Sequence, residues 1–310
     1  MKTFHDISSF KTNEKTFVTI GTFDGVHFGH KEIINKLVND AKLAGKKSVL
    51  LTFFPHPRMV LQKDAKIALI NTIEERTSLL EKTGLDYLII HPFSKAFSRL
   101  TALDFVRDLL VAQLNISKLI IGYDHHFGKN REGNIAQLTE YSHTYGFSVE
   151  EIPAQDIDDV SVSSTKIRRA LAVGNLKTAN RYLGTPFMLS GKVVNGKKLG
   201  GQIGFPTANI DILEDYKLIP KTGVYVVQSE INNKIIFGMM NIGNRPTVSG
   251  THQTIEVHFF DYNNDLYNTF LTIELLFFLR DEHKFDAIES LILQLKKDEQ
   301  RARNYLKKEL

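Results

Sequence analysis

Up to about Gly184 the apolar positions of this chain keep two alternating rhythms. Runs rich in β-branched and aromatic residues, Phe17–Ile20, Ser48–Phe54, Asp86–His91, Lys118–Gly122 and Phe147–Ile152, predict strands. Between them apolar residues return at helical spacing near 30–44, 73–83, 101–114 and 134–145, as at Ile33, Ile34, Leu37, Val38 and Ala41. Two more helical stretches, Ser164–Val173 and Asn175–Leu183, close this half before a boundary at Gly184-Thr185-Pro186. Such alternation predicts an α/β domain over residues 1–185, a parallel sheet covered by helices.

After Pro186 the rhythm changes. Six strand-like runs follow with no helical period between them: Met188–Val194, Thr207–Ile212, Val224–Ser229, Ile235–Ile242, Thr254–Phe260 and Thr272–Leu279. Asn232-Asn233 and Asn263-Asn264 read as hairpin tips. A helix is expected from Phe285, with Ile288, Leu291, Ile292 and Leu295 on one face. Residues 186–310 therefore predict a six-stranded antiparallel β-barrel with a C-terminal helix.

Composition narrows the classes. The chain has 310 residues, 42% hydrophobic and 24% charged, ordinary for a soluble protein of two domains. Without cysteine there is no disulfide, thiolate nucleophile or Cys-ligated zinc. The net charge of +4 lies in residues 1–185, with 24 Lys+Arg against 20 Asp+Glu, while residues 186–310 hold 15 of each. That excess suits polyanionic small molecules and is too weak for a nucleic-acid surface. The start, Met1-Lys-Thr-Phe-His-Asp6, lacks a signal-peptide apolar stretch. The most apolar window, Phe270–Leu279, is short and broken by Glu274. The expectation is a cytoplasmic protein, a monomer or weak homo-oligomer, with no membrane or nucleic-acid partner.

Residues 21–30, Gly-Thr-Phe-Asp-Gly-Val-His-Phe-Gly-His, join the first predicted strand to the first predicted helix. A glycine-rich turn opening a helix presents backbone N–H groups to phosphate. His27 and His30 lie across that helix start, where neutral imidazoles donate hydrogen bonds to an anion or merely solvate the terminus. Ser163-Ser-Thr-Lys-Ile-Arg168 reads as a capped basic helix start, suited to phosphates as well. Phe53-Phe-Pro-His-Pro57 and Gly122-Tyr-Asp-His-His-Phe-Gly128 follow predicted strands, at the ends where open α/β sheets bind ligands. His56, His125 and His126 lack a recognisable metal-ligand spacing. In the second half, Gly191-Lys-Val-Val-Asn-Gly-Lys-Lys-Leu-Gly200 leads through Gly204 into Phe205-Pro-Thr-Ala-Asn209, either a plain hairpin loop or a flap over phosphates. Thr207 and Asn209 supply hard oxygens that suit Mg²⁺. Glu256, in Thr254-Ile-Glu-Val-His258, is a general base for phosphorylating a hydroxyl, or the solvent-facing member of an alternating strand.

Taken together and in order, these motifs resemble the bacterial bifunctional riboflavin kinase/FAD synthetase family, over essentially the whole chain. The His-x-Gly-His run is similar to the adenylyltransferase-superfamily signature. Gly-Phe-Pro-Thr-Ala-Asn, followed by Asn241–Thr247 and Glu256-Val-His258, is similar to the riboflavin kinase signature. The resemblance implies a Rossmann-like nucleotidyltransferase domain that adenylylates FMN to FAD with release of pyrophosphate. It also implies a kinase barrel that makes FMN from riboflavin, each step using ATP and Mg²⁺. It implies catalytic roles for His27, His30 and Glu256. Contacts to ATP are implied for Gly21, Phe23, Asp24, Gly25, Gly29, Ser164, Thr165 and Arg168, and in the barrel for Gly196, Gly200 and Gly204. Asp24 also reads as a structural cap of its turn, or as a residue that helps orient Mg²⁺. Pro55, His56, Pro57, Asp124, Arg245 and Arg280 are implied at the flavin, with a structural ion pair open for Arg280. Thr207 and Asn209 are implied as metal ligands. Asn195 and Gly201 depart from the family, whose members often carry His and Arg there. Two other readings are a nucleotidyltransferase with a degenerate barrel, against which Thr207, Asn209 and Glu256 stand, and a flavin-sensing or RNA-binding regulator.

Overall fold

The computed structural model describes residues 1–62, 67–123, 126–154, 156–157, 160–196, 199–247 and 250–309, without the side chains of 131, 156–157, 160, 199, 245–247 and 250–252. The chain divides into two compact units, Met1–Ser164 and Thr165–Leu310.

The first unit is built on a six-stranded sheet: β1 (Lys2–Phe4), β2 (Thr16–Ile20), β3 (Lys47–Phe54), β4 (Tyr87–Pro92), β5 (Ile116–Gly122) and β6 (Ser148–Ile152). The order is β1-β4-β3-β2-β5-β6 and every pairing is parallel. Helices α1 (Phe28–Leu43), α2 (Pro57–Leu61), α3 (Ile73–Glu81), α4 (Ala102–Asp104, continuing as a π-helix over Phe105–Gln113) and α5 (Ile135–Tyr145) connect the strands. Alternate strand residues enter different cores. Val49, Leu51 and Phe53 pack with Val106, Leu110 and Leu138, while Leu50 packs with Ile34 and Leu37 of α1 and Leu80 of α3. A parallel sheet buried on both faces explains why its strands read as continuous apolar runs. The chain runs outward from β2 through β3 to β4 and then returns to β5 on the other side of β2. The loop after β2 therefore sits at the switch point, where open α/β sheets form a ligand crevice. A two-stranded ribbon, β7 (Asp156–Ile157) and β8 (Val160–Ser161), follows.

The second unit starts with α6 (Ser164–Ala172, whose first residue belongs to the first unit) and α7 (Leu176–Leu183). α7 packs on the barrel, where Asn180 Nδ2 donates to the Leu275 carbonyl at 2.8 Å. The compact division thus falls earlier in the chain than the expected boundary at 185. The barrel closes in the order β10-β13-β12-β11-β14-β9, all antiparallel, from β9 (Phe187–Val194), β10 (Ala208–Asp211), β11 (Gly223–Ile231), β12 (Lys234–Thr247), β13 (Gly250–Phe259) and β14 (Phe270–Arg280). Asn232 and Asn233, both at positive φ (52° and 60°), make the two-residue turn between β11 and β12. A short helix α8 (Leu199–Gln202) lies in the β9–β10 connection. The terminal helix α9 (Ile288–Glu309) starts at Ile288, with Asp298, Ala302 and Leu306 buried along one face. Ala302 and Leu306 join Phe205, Val224, Val226, Met239 and Phe260 in a core on the barrel's flank.

Candidate active sites

The turn after β2 takes a conformation few sequences accept. Phe23 (φ 48°), Gly25 (φ 91°) and Val26 (φ 39°) all lie at positive φ, a costly state for aromatic and β-branched residues. Asp24 clamps it from inside. Its buried carboxylate accepts from the backbone N–H groups of Ile70 (3.1 Å) and Asn71 (3.2 Å), and its Oδ1 lies 3.8 Å from the equally buried Arg76 guanidinium. Ser164 Oγ donates to the Asp24 carbonyl at 2.8 Å, so the start of the Ser-Ser-Thr segment is fastened to the His-bearing turn.

His27 caps α1, its Nδ1 accepting from the His30 N–H at 3.4 Å, which in the neutral ring leaves the proton on Nε2. The His27 and His30 rings stack at 3.6 Å between centroids, and Phe23 lies 5.0 Å from His30 on its other side. Burial, then the neighbouring His27, then the Arg76 guanidinium push the His30 pKa well below the ordinary imidazole range. His30 is therefore neutral at pH 7, and its buried Nδ1 has no hydrogen-bond partner among the described residues. Gly21 precedes this pair in the chain and Gly29 lies between its two members, inside the first turn of α1. Thr165 is exposed and Arg168 half-buried on α6.

The Pro55-His56-Pro57 run leaves β3 at its C-terminal end. Pro55 is exposed and His56 caps α2 by accepting from Arg58 N at 3.1 Å. Asp124 and His125 lie outside the described residues, as does the side chain of Arg245. Sequence reasoning missed the buried polar set behind the histidine turn, Thr52, Asn71, Glu75 and Arg76. Its one local signal was Thr72-Ile-Glu-Glu75, which forms a reciprocal capping box at the start of α3.

In the barrel, antiparallel register lines up the polar residues. Asn209 of β10 stands opposite Glu256 of β13, and Glu256 opposite Asn241 of β12. Facing residues of an antiparallel ladder share one face of the sheet, so the three form a row. Thr207, just before β10, donates its hydroxyl to Glu256 Oε2 at 3.3 Å. That leaves the Thr207 oxygen lone pairs available to a cation, beside the Asn209 amide. Gly196 backs directly onto Asn209, and a Cβ there would collide with the Asn209 side chain. Gly204, at φ 86°, makes the turn that brings the chain to Phe205. Gly200 lies under the Phe205 carbonyl, where a Cβ would also collide. An open cleft of about 470 Å³ adjoins this row, lined in part by Gly196, Asn209, Asp211, Glu214, Lys217 and Thr254. Among the described residues no three His, Asp or Glu side chains are grouped to hold a metal ion. Arg280 makes an ion pair with Asp298 of α9. Its Nε lies 3.0 and 3.1 Å from the carboxylate oxygens, its Nη2 lies 2.7 Å from one of them, and Asp298 is fully buried.

A parallel sheet with a histidine turn at its switch point, joined to a closed barrel with a Thr–Glu–Asn row, defines a two-unit nucleotide-handling protein. Residues 9–166 match the FAD synthetase family and residues 183–306 the riboflavin kinase family. A bifunctional riboflavin kinase/FMN adenylyltransferase of Listeria monocytogenes is 37% identical over 314 residues, covering 99% of both chains. That of Escherichia coli strain K12 is 36% identical over 302 residues, covering 97% of this chain and 96% of the relative. A crystal structure of a protein described as a macrolide-efflux protein from Streptococcus pneumoniae superposes with a TM-score of 0.89 at 31% identity, covering 98% of both chains. No helix among the described residues is long and apolar enough to cross a membrane. The chain belongs to the bifunctional riboflavin kinase/FMN adenylyltransferase family.

Proposed function

We infer that this protein makes FAD in two ATP-dependent steps, one in each half of the chain. In the barrel, the ribityl hydroxyl of riboflavin attacks the γ-phosphorus of ATP, giving FMN and ADP. In the parallel-sheet unit, a phosphate oxygen of FMN attacks the α-phosphorus of a second ATP, giving FAD and pyrophosphate. The product of the first reaction bears the nucleophile of the second. The observation that carries the reading is that each half assembles its own set: the His27–His30 stack on a clamped turn, and the Thr207–Glu256 pair in line with Asn209.

The adenylylation needs no protein nucleophile, only positioning and charge stabilisation. His27 and His30 contact the ATP phosphates, and the neutral His30 accepts or donates a hydrogen bond as charge develops. Gly21, Gly25 and Gly29 allow the backbone close to the triphosphate, with Phe23 packed beneath the imidazoles. Ser164, Thr165 and Arg168 hold the β- and γ-phosphates. Pro55, His56, Pro57 and Asp124 line the flavin, and the functional division of the chain falls at 185.

In the barrel Glu256 accepts the ribityl hydroxyl proton, and Gly196, Gly200 and Gly204 let the flap close on ATP. Arg245 reaches the flavin or a phosphate. Thr207 and Asn209 would hold Mg²⁺ beside the nucleotide, where the ion would supply neutralisation of the phosphate charge. The protein works in the cytoplasm as a monomer or weak homo-oligomer on small molecules, without nucleic acid. The test is chromatography of riboflavin incubated with ATP and Mg²⁺. FMN appearing first and FAD later is the expected result. If oxidised flavin yields FMN alone, a repeat with reduced flavin decides the adenylylation step. Neither product from folded protein overturns the reading.

A further inference from the structure

We propose that His258 is a positioning residue of the phosphotransfer site, one whose ring holds the Pro206 carbonyl and thereby fixes Thr207 against Glu256. The proposal rests on the kinase reading of the barrel. It starts from a gap in the sheet. The β10–β13 ladder has two rungs, Ala208–Val257 and Asn209–Glu256, and stops there. Thr207 precedes the strand, and Pro206 has no N–H with which to extend the ladder. The residue that presents the hydroxyl to Glu256 thus lies beyond the last backbone rung.

Two side chains of β13 hold it instead. Glu256 and His258 are two residues apart and share one face of the strand. They reach successive residues of the incoming chain: Glu256 takes the Thr207 hydroxyl at 3.3 Å, and His258 Nδ1 lies 2.8 Å from the Pro206 carbonyl oxygen. A carbonyl oxygen only accepts, so His258 carries a proton on Nδ1. The ring meets Phe205 edge-on at 5.2 Å and Phe260 at 6.0 Å. Both phenylalanines are buried in the core that α9 covers. His258 thus ties Pro206 to the barrel flank that α9 covers. Thr207 needs a fixed backbone if its hydroxyl is to meet Glu256 in the same place at each turnover. A small displacement of Thr207 would misplace the metal ligand and the partner of the base together.

The experiment compares the full-length parent with His258→Asn, His258→Gln and His258→Ala, measuring Mg²⁺ dependence and kcat/KM of riboflavin phosphorylation, with FMN-to-FAD conversion on the same samples. Asparagine puts its amide nitrogen where Nδ1 stands and glutamine where Nε2 stands. His258→Asn is expected to stay within about threefold of the parent, while His258→Gln and His258→Ala lose roughly tenfold in kcat/KM and require more Mg²⁺. FAD formation from FMN stays unchanged in all three. Equal loss in all three variants would assign the effect to ring packing and overturn the proposal, as would no loss in any. If His258→Ala fails to fold, the Asn–Gln contrast decides. A parent that makes no FMN would overturn the kinase reading and this proposal together, whereas an active parent with indifferent variants would overturn this proposal alone.

Discussion

Thr207 donates its hydroxyl to Glu256 Oε2 across 3.3 Å, and it does so from two residues ahead of Asn209, which pairs with the same Glu256 across the sheet. One carboxylate therefore touches the edge of the proposed metal site while remaining the proposed acceptor of the substrate proton. Replacing Glu256 with Gln keeps the size and a hydrogen bond to Thr207 but removes the base. Riboflavin phosphorylation is expected to fall by roughly 10²- to 10⁴-fold. FMN-to-FAD conversion should persist, and separate assays of the two steps check this. Equal loss of both steps would sink the assignment of Glu256 to the kinase.

Asn209 is pressed from behind by Gly196, so the two residues make a linked prediction. Asn209→Ala removes an oxygen from the proposed Mg²⁺ set and is expected to raise the Mg²⁺ requirement of the kinase by roughly ten- to a hundredfold. Gly196→Ala drives a methyl into the Asn209 amide and should shift the same curve in the same direction. Adding Gly196→Ala to Asn209→Ala should then cost little more, since the amide it displaces is gone. Fully additive effects in Mg²⁺ titrations would show that the glycine acts elsewhere.

Much of the fold was legible because it rests on local periodicity. Five of the six parallel strands, the longer helices between them and all six barrel strands follow from alternation and helical spacing, whereas the short helix α2 over Pro57–Leu61 does not. β1 was not legible, because Lys2–Phe4 is too short to show a period and pairs with β4, far along the chain. The helix after β4 reads as helical, but nothing in its spacing announces the π-helix over Phe105–Gln113. Of the sites, the motif glycines, His27, His30, Thr207 and Glu256 were legible as strings. What binds them in space was not. Asp24 meets Arg76, Arg280 meets Asp298 and His258 meets Pro206 only after the chain has folded, and no spacing rule links such pairs.

His30 carries a pH dependence with a definite sign. Burial, His27 and Arg76 depress its pKa, so the folded protein resists protonation that the unfolded chain accepts near pH 6.5. This group's contribution to stability is full above pH 6.5. It declines below that by up to about 1.4 kcal/mol per pH unit until the folded-state pKa is reached. Urea unfolding at pH 7.5 and 5.5 should therefore show a smaller pH penalty for His30→Gln than for the parent. Equal penalties would mean that His30 titrates normally. The same position should govern chemistry, with His30→Ala lowering FAD formation by roughly 10²- to 10³-fold while FMN still accumulates.

The buried Asp24–Arg76 pair tests whether the strained turn is held as described. Each side chain is 1% exposed, and Asp24 also accepts the backbone N–H groups of Ile70 and Asn71. Removing one member leaves the other charge in the interior. Asp24→Leu or Arg76→Leu alone should therefore destabilise the parallel-sheet unit by about 3–5 kcal/mol. The double variant leaves neither charge stranded, so its cost should be smaller than the sum of the singles. Asp24→Leu also releases the two loop N–H groups and loosens Phe23 to Val26, so FAD formation should suffer more from it than from Arg76→Leu at matched stability. Chemical unfolding of the four proteins, read with FMN-to-FAD rates, separates these effects. Strict additivity of the two substitutions would show that the carboxylate and the guanidinium do not stabilise one another.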